Sequence, residues 1–372
     1  MFRILFAVVL LIAGIVPAGW AADPVVLGAY LSMTGGVAAY GQMGWSGISI
    51  AKKMEPEALG RPVEVRLADT KSDKVESANA VSRLIENDKV VAVLGEMISG
   101  NTIAGAAVSE KSQVPMVSPT ATNPMVTQGR KWICRVCFID TEQGRVLAKL
   151  ARDQLKAKTA ALIYDVSQDY SVGLAAFFKR EFTAGGGKIV SETKFKSGDR
   201  DFTPQLSAVK NAQPEVICAP IYYTECALIA KQARNMGLNV PILAGDGVQA
   251  PELLELGGPS VENIYFTTHF HKDMITSEKG KKFLKLFEED TGKTEPDAFT
   301  AMATDAYLIL IDAINRAGTT EPAKVREALL ATKDFEGVTG KITMKPDGDP
   351  IKAMVIDKVK DGKFVYVTTI NP

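Results

Sequence analysis

The 372-residue chain carries 43 basic and 43 acidic side chains, so its formal net charge is zero and no chain-level field attracts a nucleic acid or an anionic membrane. Its length exceeds what one hydrophobic core organises, so two domains are expected. With only 2 histidines and 4 cysteines, the chain has little material for a metal or redox centre.

The chain opens with Met1-Phe2-Arg3, an unbroken apolar stretch from Ile4 to Val16, Pro17 and the small-residue run Ala18 to Ala22. A cationic start, a short apolar core and a small-x-small end together describe a signal peptide, residues 1–22, cut after Ala21 or Ala22. The apolar core falls short of the ~20 residues a membrane helix needs, and no later segment is read as a span. No cysteine stands near the cut to carry a lipid anchor. The mature protein is therefore expected free in the periplasm.

From Pro24 onward, β-rich runs alternate with helical periodicities, the pattern of α/β architecture with parallel sheets. Val25 to Leu31 reads as the first strand. After a glycine-rich loop, Met43, Gly47, Ile50, Ala51 and Met54 share one helix face. Val63 to Ala68 is a second strand, followed by a helix with Asp73 and Glu76 at capping-box spacing and the stripe Val75, Ala78, Val81, Leu84 and Ile85. Further strands are predicted at 90–94, 114–117, 132–138, 160–164, 216–219, 241–244 and 264–267. The main later helices fall at 142–155, 173–183, 224–236, 277–290 and 299–316.

In open α/β sheets, ligands bind beyond the carboxyl ends of the strands, where helix N-termini present free N–H groups. The loops at 95–101 and 118–124 are rich in small hydroxyl residues, and Ser99 and Thr122 are the candidates to hold a carboxylate. Taken singly, each also fits an ordinary helix cap or turn. The later loops carry Tyr170, Tyr222 and Tyr223, and Gly245-Asp246-Gly247 follows an apolar strand. Asp246 there suits a ligand ammonium, against the plainer possibility that it caps the short helix near Pro251 or faces water.

Other motifs carry less. Gly245 to Ala250 formally matches GxGxxG/A but opens only a short helix interrupted by Pro251, and Gly185-Gly186-Gly187-Lys188 lacks the Ser or Thr of a phosphate loop. Cys134 and Cys137 form a CxxC inside a predicted strand, where residues three apart face opposite sides, and the pairing of the four cysteines stays open. His269 and His271 lack a third metal ligand and read as surface or hinge residues. No GxSxG elbow and no histidine beside an obvious nucleophile is present, so catalysis is not expected, nor a cofactor.

Leu31 to Gly36 with Tyr40-Gly41-Gln42, Ser118 to Pro124, Arg135 to Phe138 with Gln143-Gly144, Gly245 to Gly247, and Thr300 to Ala317 form a combination of segments. Together they resemble the periplasmic leucine/isoleucine/valine-binding proteins, the type I amino-acid-binding components of ABC importers. The resemblance implies an α/β fold of two doubly wound parallel-sheet lobes joined by a three-segment hinge, near 139–141, 267–271 and 345–350. Residues 23–140 and 270–347 would form lobe 1, and residues 141–269 and 348–372 lobe 2. It implies that Ser99 and Thr122 hold the ligand carboxylate, that the Thr120 carbonyl, the Thr122 hydroxyl and Asp246 surround the ammonium, that Ala121 also lines the ligand site, and that Tyr40, Tyr170 and Tyr222 close over the ligand. The implied partners are a small amino acid and an inner-membrane ABC permease, with the protein acting as a monomer.

Three positions depart from that pattern. Asp246 replaces a glutamate, which withdraws the carboxylate by roughly 1.5 Å. Thr120 replaces a smaller residue, and Ile98 stands where a cysteine can occur. A branched-chain or other apolar amino acid is the leading ligand, with an aromatic or other small carboxylate, or a sensory role for the same closure, as alternatives.

Overall fold

A computed structural model describes residues 23–371, so the expected signal peptide lies outside the described residues. The first sheet contains β1 (Val25–Leu31), β2 (Glu57–Ala58), β3 (Arg61–Asp69), β4 (Val93–Gly95), β5 (Met116–Ser118) and β6 (Ile133–Arg135). Their order is β2-β3-β1-β4-β5-β6, parallel except for the β2–β3 hairpin. Between these strands run α1 (Ala38–Met54), α2 (Lys74–Glu86) and α3 (Ser99–Ser112).

The chain then leaves through α4 (Asp140–Lys149) and builds a second sheet: β7 (Thr159–Asp165), α5 (Asp169–Ala184), β8 (Lys188–Phe195), α6 (Thr203–Ala212), β9 (Val216–Cys218), α7 (Tyr223–Asn235), β10 (Ile242–Ala244), α8 (Pro251–Gly257) and β11 (Ile264–Thr268). It returns as α9 (Glu278–Thr291), α10 (Ala298–Ala317) and α11 (Pro322–Leu330), with α10 packed along α1. A small sheet of β12 (Phe335–Gly337), β13 (Gly340–Met344) and β14 (Pro350–Ile351) follows. Finally β15 (Met354–Lys360) and β16 (Lys363–Ile370) add an antiparallel edge, giving β16-β15-β11-β10-β9-β7-β8. This is the two-lobed, doubly wound α/β architecture expected, and the chain passes between the lobes three times.

Some local expectations shift. The α2 cap forms as predicted, with Asp73 Oδ1 accepting from the Val75 and Glu76 amides at 2.8 and 2.9 Å. The buried face of α2 is instead Ser77, Ala80, Val81 and Leu84, and Val75 is 67% exposed, because the cap points the first turn outward. The strand predicted at 132–138 stops at Arg135, since its neighbour β5 ends at Ser118 before Pro119 and offers no longer edge. The helix predicted at 142–155 starts two residues earlier and ends in a wider π-turn over Leu150–Gln154. Helix α10 is long and apolar enough to cross a membrane, which the sequence reading did not credit to any later segment; in the fold it is buried between lobe elements. Burying each of its large apolar side chains contributes about 1.5–3 kcal/mol.

All four thiols are buried and unbridged, and burial pushes those of Cys134 and Cys226 up to about 12, with Cys137 and Cys218 raised as well. They are inert, protonated core groups rather than a redox pair.

The third passage between lobes is fastened by Arg135. Its guanidinium is fully buried, pairs with Asp349 at 2.7 Å, and donates to the Ala121 and Asn123 carbonyls and the Thr127 hydroxyl. Beside it the Gly348 carbonyl accepts from the Arg135 amide at 3.0 Å, and at φ +83° a Cβ on Gly348 would lie 2.3 Å from the Ile133 carbonyl oxygen. Only glycine allows that approach. Asp349→Ala leaves a buried guanidinium without its counter-charge and is expected to cost about 3–5 kcal/mol. Urea unfolding of the mature chain measures it, and a loss under about 1 kcal/mol, as for a surface pair, would contradict the assignment.

Candidate functional site

The loops and helix starts at the carboxyl ends of both sheets meet between the lobes, and hydrogen bonds span the gap. The Tyr40 hydroxyl, on α1, donates to the Gly247 carbonyl beyond β10, and Asn123 Nδ2 donates to the Asp169 carbonyl at 2.8 Å. Lys74 meets Asp169 at 2.7 Å, but both ends are half exposed and such a pair contributes little. The lobes are therefore closed on one another.

On the lobe 1 side, α3 begins at Ser99. The preceding Ile98 is extended and caps nothing through its side chain, so the first amides of α3 lack intrahelical acceptors and point toward the cleft end of the helix. Ser99 is thus the first helical residue and not the cap that a bare sequence pattern suggests. Its hydroxyl accepts from the Asn123 amide at 3.2 Å, which brings the 118–124 loop onto the helix start. The Thr120 hydroxyl is spent on the Met97 carbonyl at 2.7 Å. Ala121 is fully buried and has both backbone groups engaged, the carbonyl by Arg135 and the amide by Ser118 Oγ. Thr122 is buried, and its carbonyl accepts from the Asp140 amide at 3.0 Å. A buried concentration of hydroxyls and free helix amides suits an anion.

On the opposite side lies acid. Asp246 is buried, and neither caps α8 nor faces water; its carboxylate accepts from Gln143 Nε2 at 2.9 Å and meets His269 Nε2 at 3.0 Å. Gln143 Nε2 also donates to Asp140 at 2.9 Å, while its oxygen accepts from the Asp246 amide and the Thr267 hydroxyl. One side chain thus ties α4, the loop after β10 and the end of β11. Burial, reinforced by the charge of Asp246 and only partly offset by the Thr122 hydroxyl, holds the Asp140 carboxyl well above the usual range. Burial likewise lowers the His269 pKa, so the imidazole is neutral, donates from Nε2, and leaves Nδ1 without a partner.

Three tyrosines close the space between. Tyr170 and Tyr222 stack with centroids 5.3 Å apart, and Tyr40 stands edge-on to Tyr222 at 5.6 Å. The Tyr170 hydroxyl accepts from the Gly247 amide at 3.2 Å, whereas the buried Tyr222 hydroxyl has no protein partner. A Cβ on Gly247 would meet Tyr222 at 2.9 Å and Tyr170 at 3.1 Å, so this glycine is needed for the rings to close over the loop. Burial keeps all three hydroxyls protonated, and therefore able to donate.

Six of the eight predicted residues lie on one connected path: Ser99 through Asn123 to Thr122, Thr122 through Asp140 and Gln143 to Asp246, and Asp246 through Gly247 to Tyr40, Tyr170 and Tyr222; Thr120 and Ala121 bond instead to Met97, Ser118 and Arg135. Outside the predicted set, the cluster also holds Asp140, Gln143 and His269, and the burial of His269 excludes the surface alternative expected for it. The carboxyl-end rule that singled out Asp246 applies equally to the residues after β11, and that signal could have found His269.

The periplasmic binding protein family model matches residues 24–363. A Leu/Ile/Val-binding protein homolog of Brucella suis is 30% identical over 99% of this chain and 100% of its own length. A leucine-binding protein of Thermotoga maritima, LivK, has 46% identity and a TM-score of 0.92, covering 94% of this chain and 99% of that one. A branched-chain amino acid transporter substrate-binding protein of Streptococcus pneumoniae, LivJ, solved in complex with isoleucine, has 31% identity and a TM-score of 0.88, covering 94% of this chain and all of that one. With the lobes, the hydroxyl-lined helix start and the buried aspartate already in place, the conclusion is that the chain belongs to the periplasmic binding protein family, on its leucine/isoleucine/valine-binding branch.

Proposed function

We propose that the chain is the exported substrate-binding component of an ABC importer, which closes on a branched-chain or other apolar L-amino acid and presents it to an inner-membrane permease. Residues 1–22 serve as the cleaved export signal, and the hinge comprises 139–141, 267–271 and 345–350, dividing 23–140 with 270–347 from 141–269 with 348–372. The mature protein acts as a monomer without a cofactor, and no catalytic step is assigned to it.

The observation that carries this reading is the pairing of opposite chemistries across one closed cleft. Ser99, Thr122 and the start of α3 receive the ligand carboxylate, while Asp246 and the Thr120 carbonyl receive its ammonium. Ala121 contributes its methyl to the wall, and Tyr40, Tyr170 and Tyr222 cover the side chain. Asp246 already holds a neutral amide and a neutral imidazole, neither of which cancels its charge. An aromatic acid would bring a second anion beside that carboxylate and leave it uncompensated at a cost of several kcal/mol, which disfavours the aromatic-carboxylate alternative.

Calorimetric titration of the mature protein tests the reading: L-leucine, L-isoleucine or L-valine is expected to bind, and 4-hydroxybenzoate is not. Tight binding of 4-hydroxybenzoate with none of the amino acids overturns it. Asp246→Asn is expected to weaken amino-acid binding at least tenfold, about 1.4 kcal/mol or more; unchanged affinity removes Asp246 from the ammonium position.

The raised pKa of Asp140 has a separate signature. A carboxyl lifted in the folded state contributes stability that is complete below its unfolded value, near 3.8, and is lost as pH rises through the folded one. Asp140→Asn removes that loss, so the ligand-free variant is expected to melt about 2–4 °C above the parent at pH 8, with the gap shrinking as pH is lowered toward 4. Thermal unfolding followed by circular dichroism reads it directly, and a gap that is constant with pH contradicts the shift.

A further inference from the structure

A second cavity, of about 970 Å³, is lined by none of Tyr40, Ser99, Thr122, Tyr170, Tyr222 or Asp246. Its walls come from both lobes: the segment joining α9 to α10 on one side, α8 and strands β15 and β16 on the other, with the passage Phe270 to Asp273 between them. The size is that of a small-molecule site.

Asp357 lines it. Antiparallel pairing sets Asp357 opposite Phe266 on β11 and Tyr366 on β16, and an irregularity in the β15–β16 register falls between Ile356 and Asp357. Directly paired residues share a face, so the acid stands in a row of rings, with Phe364 further along β16 packed edge-on to Phe266 at 5.2 Å. The Asp357 residue is 0% exposed, and neither of its carboxylate oxygens has a hydrogen-bond partner. Burial, with a smaller contribution from Asp273, pushes its pKa up to about 7.

A buried carboxylate with no partner costs several kcal/mol, and an apolar residue would pack a strand face better. Of the basic groups lining the cavity, Lys272 pairs with Glu295 and His271 lies 3.5 Å from Asp273, while neither Lys293 nor Lys363 bonds to the Asp357 carboxylate. What is missing is a donor of positive charge small enough to enter between rings.

We infer that this cavity is a second ligand site, which takes a small organic ammonium ion with its N–H groups on the Asp357 carboxylate and its hydrocarbon body against Phe364 and Tyr366. A carboxylate supplies the charge-assisted hydrogen bonds, and aromatic faces attract both the cation and its methylenes. The site does not depend on what the cleft binds.

The test is calorimetry of the mature protein with n-butylammonium chloride at pH 8, with n-butanol as the uncharged counterpart. One butylammonium is expected to bind per chain and butanol not to bind. Asp357→Asn is expected to weaken the amine at least tenfold, and Tyr366→Leu, at a half-exposed position that the fold tolerates, several-fold. Asp246→Asn is expected to leave it unchanged. Absence of binding, equal binding of butanol, undiminished binding to Asp357→Asn, or loss through Asp246→Asn would each overturn the inference. The last outcome would place the amine in the amino-acid cleft, and failure of leucine to bind in the separate titration leaves this result standing on its own.

Discussion

A carboxylate withdrawn from water between two moving bodies is the constraint around which the rest of this structure is arranged. Asp246 is held there by Gln143 and His269, which each donate to it from a different passage of the chain between the lobes. The amide of Gln143 is used to capacity, since it also holds Asp140 and accepts from Thr267. Any rotation of the lobes that disturbed this cluster would expose or orphan several polar groups together, and an unmade buried hydrogen bond costs more than a made one contributes.

The joint at Arg135 obeys the same logic with a full charge pair. Its guanidinium serves the backbone of the 118–124 loop as well as Asp349, so the loop that offers Thr120 and Thr122 to the cleft is braced from behind. The 118–124 loop is thus held rigid by hydrogen bonding to its main chain, while the proposed roof of tyrosines depends on ring packing over a glycine. Pre-organisation at one end and adaptability at the other is an arrangement in which recognition of the amino-acid backbone and choice of side chain can be set separately.

Much of this was legible in the order of residues. The alternation of apolar runs with helical stripes points to the sheets, and the rule that ligands gather beyond strand ends singles out Ser99, Thr122, Tyr170, Tyr222 and Asp246 as candidates, which the fold brings to one place between the lobes. What escaped has at most a weak local mark. His269 is one polar residue after a strand, and its significance comes from a carboxylate 23 positions earlier that only the sheet brings near. Gln143 reads as an ordinary helix residue until its three partners are seen. Strands β15 and β16 were not anticipated, because β15 buries an aspartate where alternation calls for an apolar residue, and β16 is half exposed along most of its length. The outward turn of Val75 likewise follows from the direction imposed by its cap, which the spacing of apolar residues does not encode.

The four separate thiols bear on how the protein comes into being as well as on its finished form. Once folded, each sulfur is sealed away and protonated, and so is unavailable for exchange chemistry. In the unfolded chain all four are ordinary, accessible thiols. In an oxidising compartment the window for wrong crosslinks is therefore the time before the core closes, and the speed of collapse, rather than any native bridge, guards the purity of the product.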